Sequence, residues 1–272
     1  MKRRADLHTH TTASDGQYVP EKLVRLAAER GIEVLAVTDH DTLDGLGRAV
    51  RAGAGEGIRV VQGVELSARE YPNLHILGYA FGENPAALAE LCRQMRERRE
   101  RRKYWIIDYL REKGVDIPLE EVEALAGGVI GRPHFARVMV RHGYVSDNRE
   151  AFDRYLDTEE FQELNDRFKA GARECVGAIK ASGGMVSFAH PYQVELENGA
   201  LEELVRQLMD YGLDAIECYY PRHTPEQTAF YVHLAKKYGL HVTGGSDFHG
   251  ERVKPDIRLA AWELELAWLL GT

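Results

Sequence analysis

Short apolar runs that carry a histidine or a carboxylate at one end recur along the whole chain, and no other feature restricts its fold so strongly. Ala5-Asp6-Leu7-His8-Thr9-His10 comes first, then Ile32-Glu33-Val34-Leu35-Ala36-Val37-Thr38-Asp39-His40 and Ile58-Arg59-Val60-Val61-Gln62-Gly63-Val64-Glu65. Asn73-Leu74-His75-Ile76-Leu77-Gly78-Tyr79 opens near its histidine, whereas Met185-Val186-Ser187-Phe188-Ala189-His190 closes on one. Leu240-His241-Val242-Thr243-Gly244-Gly245-Ser246-Asp247-Phe248-His249 completes the series. Residues two apart on a strand share a face, so His8 with His10, and Asp247 with His249, can act as pairs. The spacing predicts helices between these runs, at 20–30, 44–55, 170–182, 200–211 and 224–238, with strands at 32–40, 58–66, 185–189, 214–219 and 240–245. Strand and helix in alternation argue for parallel βα units, and polar groups at strand ends are how a parallel barrel builds its site.

The alternation stops at about Pro85. A long charged helix to Lys113 leads into a wholly helical stretch that reaches about Phe168, so the pattern predicts a barrel in two parts, 1–84 and 169–272, with a helical insertion at 85–168. Because the insertion follows the strand with His75 and precedes the one with His190, we expect a lid over the ligand-bearing rim.

A single histidine at a strand end is ordinarily a hydrogen-bonded residue of no special function, and repetition is what changes the reading. His8, His10, Asp15, His40, Glu65, His75, His190, Asp247 and His249 supply nine nitrogen or oxygen ligands. That is too many for one tetrahedral zinc ion and suits two or three divalent ions bridged by a carboxylate, with Mn²⁺ expected first and Fe²⁺ or Zn²⁺ as alternatives.

Asp6-Leu7-His8-Thr9-His10-Thr11-Thr12-Ala13-Ser14-Asp15-Gly16, Thr38-Asp39-His40-Asp41, Gly63-Val64-Glu65, Ala189-His190-Pro191 and Gly244-Gly245-Ser246-Asp247-Phe248-His249-Gly250 stand in this order along the chain. The set resembles the successive motifs of the PHP (polymerase and histidinol phosphatase) superfamily, and the resemblance implies a distorted (β/α)7 TIM-like barrel. Ile130-Gly131-Arg132-Pro133-His134-Phe135-Ala136-Arg137, with Gly143-Tyr144-Val145 and Ala151-Phe152-Asp153-Arg154-Tyr155-Leu156, is similar to the insertion of the TrpH/RNase AM group of nucleoside 3′,5′-bisphosphate phosphatases and 5′-3′ exoribonucleases. The stretch from Asp157 to Ala170 lacks the Tyr-Val-Pro motif of that group. The resemblance implies that His8, His10, Glu65 and Asp247 hold one metal, Glu65, His75 and His190 a second, and Asp15, His40 and His249 a third, with Glu65 as the bridge. It also implies that Arg99, Arg102, Arg132 and His134 contact substrate phosphate.

His223 follows a strand end and is read as a substrate contact; it and His134 are the candidates to protonate the leaving oxygen. Asp15, Glu65 and His223 are read as the catalytic residues. Tyr219 and Tyr220 are either packed or available to stack on a base. His142, His233 and His241 match no ligand position and are read as structural or exposed.

Charge limits the partners. The formal net charge of −8 argues against stable duplex nucleic-acid binding, which depends on many cationic contacts to phosphate. Locally the balance reverses: Arg93, Arg96, Arg98, Arg99, Arg101, Arg102 and Lys103 face only Glu97 and Glu100. Such a run is ordinarily a solvated helix face, yet an anionic substrate approaching a metal site needs cations of this kind. Three cysteines without metal or redox spacing, no apolar run long enough to span a bilayer and no signal-like segment after Met1 suggest a reducing cytosol, and a monomer is expected. The expected activity is hydrolysis of nucleotide phosphate, at the 3′-phosphate of nucleoside 3′,5′-bisphosphates or the 5′ end of short RNA. Histidinol phosphate hydrolysis, and a non-catalytic metal-stabilised regulatory domain, are the alternatives.

Overall fold

The computed structural model of the protein describes residues 2–126 and 130–271; residues 127–129, within the expected helical stretch, lie outside the described residues. It divides into two compact units, residues 1–93 with 170–272, and residues 94–169.

The first unit contains the strands β1 (Lys2–Asp6), β2 (Val34–Val37), β3 (Arg59–Ser67), β4 (His75–Tyr79), β5 (Met185–Phe188), β6 (Ala215–Tyr219), β7 (His241–Gly244) and β8 (Trp262–Glu265). They form one sheet in the order β7-β6-β5-β4-β3-β2-β1-β8. Parallel pairs join β1 to β2, β2 to β3, β5 to β6 and β6 to β7. Past the ends of β1 and β7 the chain almost closes the ring: Leu7 N donates to Gly244 O at 2.9 Å, Asp247 N donates to His8 O at 2.8 Å, and Thr9 bridges Phe248. The helices α1 (Pro20–Glu29) and α2 (Leu46–Glu56) connect the first strands. After β4 comes α3 (Ala86–Glu112), whose C-terminal part enters the second unit. Val34, Ala36, Val61, Leu77, Tyr79 and Leu264 belong to one buried cluster, drawn from β2, β3, β4 and β8.

Two strands depart from seven parallel βα units. β4 is antiparallel to β3 and β5, because the six residues between Ser67 and Leu74 allow only a hairpin and not a helical crossover. The reversal keeps His75 on the right rim: Ser67 pairs with His75 and Glu65 with Leu77. It also means that the chain leaves β4 from Tyr79, at the other end of the sheet from His75. The second departure is β8, antiparallel to β1, whose four residues and single buried leucine are too short a signal to read from sequence.

The second unit is helical. It holds α4 (Leu119–Ala126), α5 (Arg132–Arg141), α6 (Asn148–Ala151), a π-turn at Phe152–Leu156 and α7 (Glu159–Asn165). Ile106, Leu110, Val115, Phe135, Met139 and Phe161 are among its buried core, and Trp105 packs on Phe161 and Phe168 with ring centroids 5.2 and 5.5 Å apart. The 157–170 stretch without the expected motif contains α7, capped by Thr158 accepting from Phe161 N at 3.2 Å. Back in the first unit, α8 (Ala172–Ala181), α9 (Asn198–Tyr211), α10 (Pro225–Tyr238) and the short α11 (Ala267–Leu270) restore the alternation.

Close approach of β2, β3 and β4 requires glycine at position 63. A Cβ there would stand 2.7 Å from Thr38 Cγ2 and 2.9 Å from the Val37 carbonyl oxygen, so Gly63→Ala is expected to destabilise the first unit by about 1–3 kcal/mol. Denaturant unfolding checks this, and an unchanged midpoint would mean that the packing yields freely.

Candidate metal centre

Strand ends gather the polar groups. His8 and His10 leave β1 on one face with ring centroids 5.2 Å apart, and His40, just past β2, bridges Glu65 of β3. His75 opens β4, His190 follows β5, and Asp247 and His249 follow β7. Two of these residues hold positive φ without being glycine, His190 at 24° and Asp247 at 55°. Such backbone is costly and persists where the surroundings over-determine it.

Glu65 is the centre of the arrangement. Its Oε2 faces His8 Nε2 and His10 Nε2, each at 3.1 Å, and His40 Nδ1 at 3.2 Å. Its Oε1 faces His75 Nδ1 at 2.7 Å and His190 Nε2 at 3.0 Å. Asp247 Oδ1 lies 3.3 Å from His10 Nε2 and 3.2 Å from His249 Nδ1. Asp15 completes the set, 3.3 Å from His249 Nε2, 3.7 Å from His10 Nδ1 and 3.9 Å from His40 Nε2. The structure thus brings all nine expected ligand residues together.

Within 4.8 Å of one another lie ligand atoms of three groups: His8, His10, Glu65 and Asp247; His10, Asp15, His40 and His249; and His40, Glu65 and His75. The grouping differs from the expected one in giving His10 and His40 two roles and in leaving out His190, which nevertheless stands 3.3 Å from His75 Nδ1. The residues fit divalent ions on a further ground. His8 Nε2, both ring nitrogens of His10, His40 Nδ1 and Glu65 Oε2 are buried and make no hydrogen bond, and unsatisfied buried polar atoms call for an explanation such as an ion.

Electrostatics agree. Burial alone would raise Glu65, but His8, His40 and His75 outweigh it and hold the carboxyl well below the ordinary range; Asp247 is lowered in the same way by His8 and His10. Burial opposes protonation of His10, yet the carboxylates of Asp247, Glu65 and Asp15 around the ring prevail and raise it to about 9. His40 goes the other way, down to about 3, through burial and the neighbouring His10, against the pull of Glu65.

His223 reaches the same rim. Its Nδ1 faces Cys218 O at 3.0 Å, and its Nε2 is buried without a hydrogen bond. Tyr220 packs between it and His190, with centroids 5.2 and 5.8 Å away. The other expected contacts belong to the second unit. Arg102 has a buried Nε that makes no hydrogen bond, and burial, with the like charges of Arg99 and Arg132, pushes its guanidinium down to about 10. Arg132 donates to Leu156 O at 3.1 Å and pairs with Asp157 at 2.6 Å, while His134 Nδ1 accepts from Gly131 N at 3.0 Å and so caps α5. Part of the basic run is engaged as a solvated face would be: Arg93 pairs with Glu90, and Lys103 with Glu100 and Glu123. His142 pairs with Glu121 and His241 stacks on Trp268, as residues outside the site.

Sequence reasoning passed over the groups behind the ligands. Asp6 binds Ser246 N at 2.8 Å and Oγ at 2.6 Å; Asp39 binds Thr11 N at 2.7 Å; Glu217 binds His8. Tyr220 and Lys254 donate to Asp247 Oδ2 at 3.0 and 2.6 Å. The available signal was an acid within an apolar run, as in Ala215-Ile216-Glu217-Cys218, since a buried charge must have partners.

A family model described as PHP domain matches residues 6–167. A phosphoribosyl 1,2-cyclic phosphate 1,2-diphosphodiesterase of Eggerthella lenta is 35% identical over 90% of the chain and 94% of its own length. A 5′-3′ exoribonuclease of Haemophilus influenzae is 33% identical over 92% and 91%. A 3′,5′-nucleoside bisphosphate phosphatase of Chromobacterium violaceum is 31% identical over 90% and 86%. A solved structure from Chromobacterium violaceum, described as an amidohydrolase with bound sulfate and no metal, superposes with a TM-score of 0.78 at 30% identity, covering 96% of this chain and 92% of that one.

Metal uptake should release protons. His10, raised to about 9, is protonated at neutral pH and must lose that proton to become a ligand, so affinity should climb as pH rises from 6 to 9. Calorimetric titration of the chelator-treated protein with Mn²⁺ in buffers of different ionisation enthalpy measures this. Binding that is independent of pH and buffer would contradict it.

Proposed function

The chain belongs to the PHP domain family and is a metal-dependent phosphoesterase, and from that premise we propose that it removes phosphate from nucleotides. The 3′-phosphate of nucleoside 3′,5′-bisphosphates and the 5′ end of short RNA are its substrates in this reading. One observation carries the reading: the two oxygens of buried Glu65 face different sets of imidazoles, His8, His10 and His40 on one side and His75 and His190 on the other. A carboxylate so placed suits a bridge between two ions. His8, His10, Glu65 and Asp247 would hold one ion, Glu65, His75 and His190 a second, and Asp15, His40 and His249 a third, with Mn²⁺ the preferred metal.

Bound there, such ions lower the pKa of water and neutralise charge on phosphoryl oxygens. The chain's own residues do the rest. His223, whose Nδ1 faces Cys218 O and whose Nε2 is buried without a hydrogen bond, is the proton donor in this reading. Burial holds it below the ordinary imidazole range, and an anionic substrate would push it back up. It therefore takes up a proton with the substrate and gives it to the leaving oxygen.

Arg99, Arg102, Arg132 and His134 bind the phosphate that is not cleaved. The depressed guanidinium of Arg102 supports this, because an anion would relieve both its burial and its repulsion from Arg99 and Arg132. In this reading the helical unit serves as a lid, and the enzyme acts as a cytoplasmic monomer. Among the described residues no helix is long and apolar enough to cross a membrane.

The cyclic phosphodiesterase among the relatives favours a second reading, in which a phosphodiester is opened before the monoester is cleaved. A panel of nucleoside bisphosphates, short 5′-phosphorylated RNA, cyclic phosphodiesters, histidinol phosphate and an aryl phosphate separates these possibilities. Bisphosphate should lead, and no advantage over the aryl ester would end the nucleotide assignment.

Two substitutions test the parts. Glu65→Gln keeps the shape but loses the charge, so both metal content and turnover should fall, the latter by orders of magnitude; an active, metal-replete variant would remove Glu65 as the bridge. Arg132→Ala should depress kcat/KM roughly ten- to hundredfold for bisphosphate, as expected for one charge-assisted contact, and much less for the aryl ester. Equal losses on both substrates would move Arg132 to the scissile phosphate or to a purely structural role.

A further inference from the structure

Glu217 is a wholly buried acid that the proposed reaction does not use. It lies on β6 with no exposed surface, in register with Thr243 of β7. Its Oε1 and Oε2 stand 3.1 and 3.3 Å from His8 Nδ1, and Oε2 also accepts from the backbone N of His190 at 2.7 Å. The far nitrogen of His8 faces Glu65 at 3.1 Å and makes no hydrogen bond. The far nitrogen of His190 faces the other oxygen of Glu65 at 3.0 Å. One carboxylate thus grips, from behind, two residues that reach opposite sides of Glu65.

Space for this contact is made by the chain itself. A Cβ at Gly245 would collide with His8 Cβ and with Glu217 Oε1, so glycine there lets the acid and the imidazole meet. His190, with φ 24° and ψ 65°, is held in a backbone conformation that L-residues avoid, and the bond from its N–H to Glu217 is one of the contacts that hold it.

We infer that Glu217 is a positioning residue that couples two of the metal positions, accepting the Nδ1 proton of His8 so that Nε2 keeps its lone pair for an ion, and fixing His190 toward the neighbouring one. The inference rests on the metal-centre reading above. Its physical basis is tautomer control: an imidazole that donates Nδ1–H to a carboxylate is pre-set as an Nε2 ligand and is made more basic. Glutamine cannot reproduce it. With an amide oxygen left on the His190 N–H, the uncharged NH₂ takes the place of Oε1, which now faces His8 Nδ1 at 3.1 Å, and an NH₂ there favours the tautomer whose Nε2 carries hydrogen.

The test uses the full chain stripped of metal by a chelator and titrated with Mn²⁺, and separately with Zn²⁺, in a calorimeter. Glu217→Gln is expected to bind with roughly 10- to 100-fold lower affinity at two steps and to stay folded by circular dichroism. The ¹⁵N signals of the His8 ring should show a protonated Nδ1 in the wild type loaded with diamagnetic Zn²⁺ and a mixture of tautomers in the variant. Glu217→Asp, which keeps the charge on a shorter arm, should recover part of the affinity, and it replaces Glu217→Gln in the titration if the amide variant does not fold. Wild-type affinity and tautomer in these variants would overturn the inference, and weakening of one step alone would overturn the coupling. If the wild type itself takes up no divalent ion, the metal-centre reading fails and the inference with it, a result distinct from a wild-type centre that ignores Glu217.

Discussion

A buried carboxylate surrounded by imidazoles governs this protein. Glu65 is almost wholly inaccessible, and the cost of removing a carboxylate from water is several kcal/mol even after relaxation. Its stability depends on nearby positive charge, which comes either from protons on His8 and His10 or from ions. Either source needs the same geometry, with side chains converging from the ends of several strands. The near-closed ring meets that demand, since the chain beyond β1 and the chain beyond β7 bond to one another just where His8, Asp247 and His249 stand.

Around this centre, other buried acids hold the backbone of the rim. Asp6 receives N–H bonds from Ser246 and Ala260, and burial raises its carboxyl to about 6 against the opposing effect of these bonds. Asp39 binds Thr11 and Ser14, and so fixes the turn that carries Asp15. Tyr220 and Lys254 occupy Oδ2 of Asp247, which leaves Oδ1 to face the histidines. Buried polar groups with satisfied partners rigidify a site, and here they also explain why His190 and Asp247 can keep positive φ.

The helical unit works by other physics. Its core is aromatic and aliphatic, and its ion pairs are largely exposed and of small energetic value. Against this background Arg102 stands apart, because it is the arginine whose Nε is both buried and without a hydrogen bond among the described residues. Metals that activate water do not by themselves distinguish one phosphate ester from another. Discrimination has to come from groups that read the remainder of the substrate, and concentrated guanidinium charge is suited to a second phosphate.

Much was legible from one-dimensional pattern. Period-2 spacing in His8-Thr9-His10 and Asp247-Phe248-His249, and apolar runs separated by helical segments, already specified a mainly parallel barrel, its interruption by helices and the residue types of a metal centre. Local periodicity reports these because each strand or helix must bury one side and expose the other. Short or reversed elements escaped it: β8 has only four residues, and the direction of β4 depends on the length of a connection, not on composition. The grouping of ligands was likewise out of reach. Ligand atoms of His10 and His40 each lie within 4.8 Å of those of two groups because rings from different strands converge in space, and no spacing along the chain encodes distance across a barrel. The same holds for Glu217, which is 209 residues from His8 and 27 from His190. By itself the sequence determined which chemical groups are present and which strand ends carry them. Only the tertiary structure decided which atoms meet, because closing the ring of strands is what sets their separations and strips them of water.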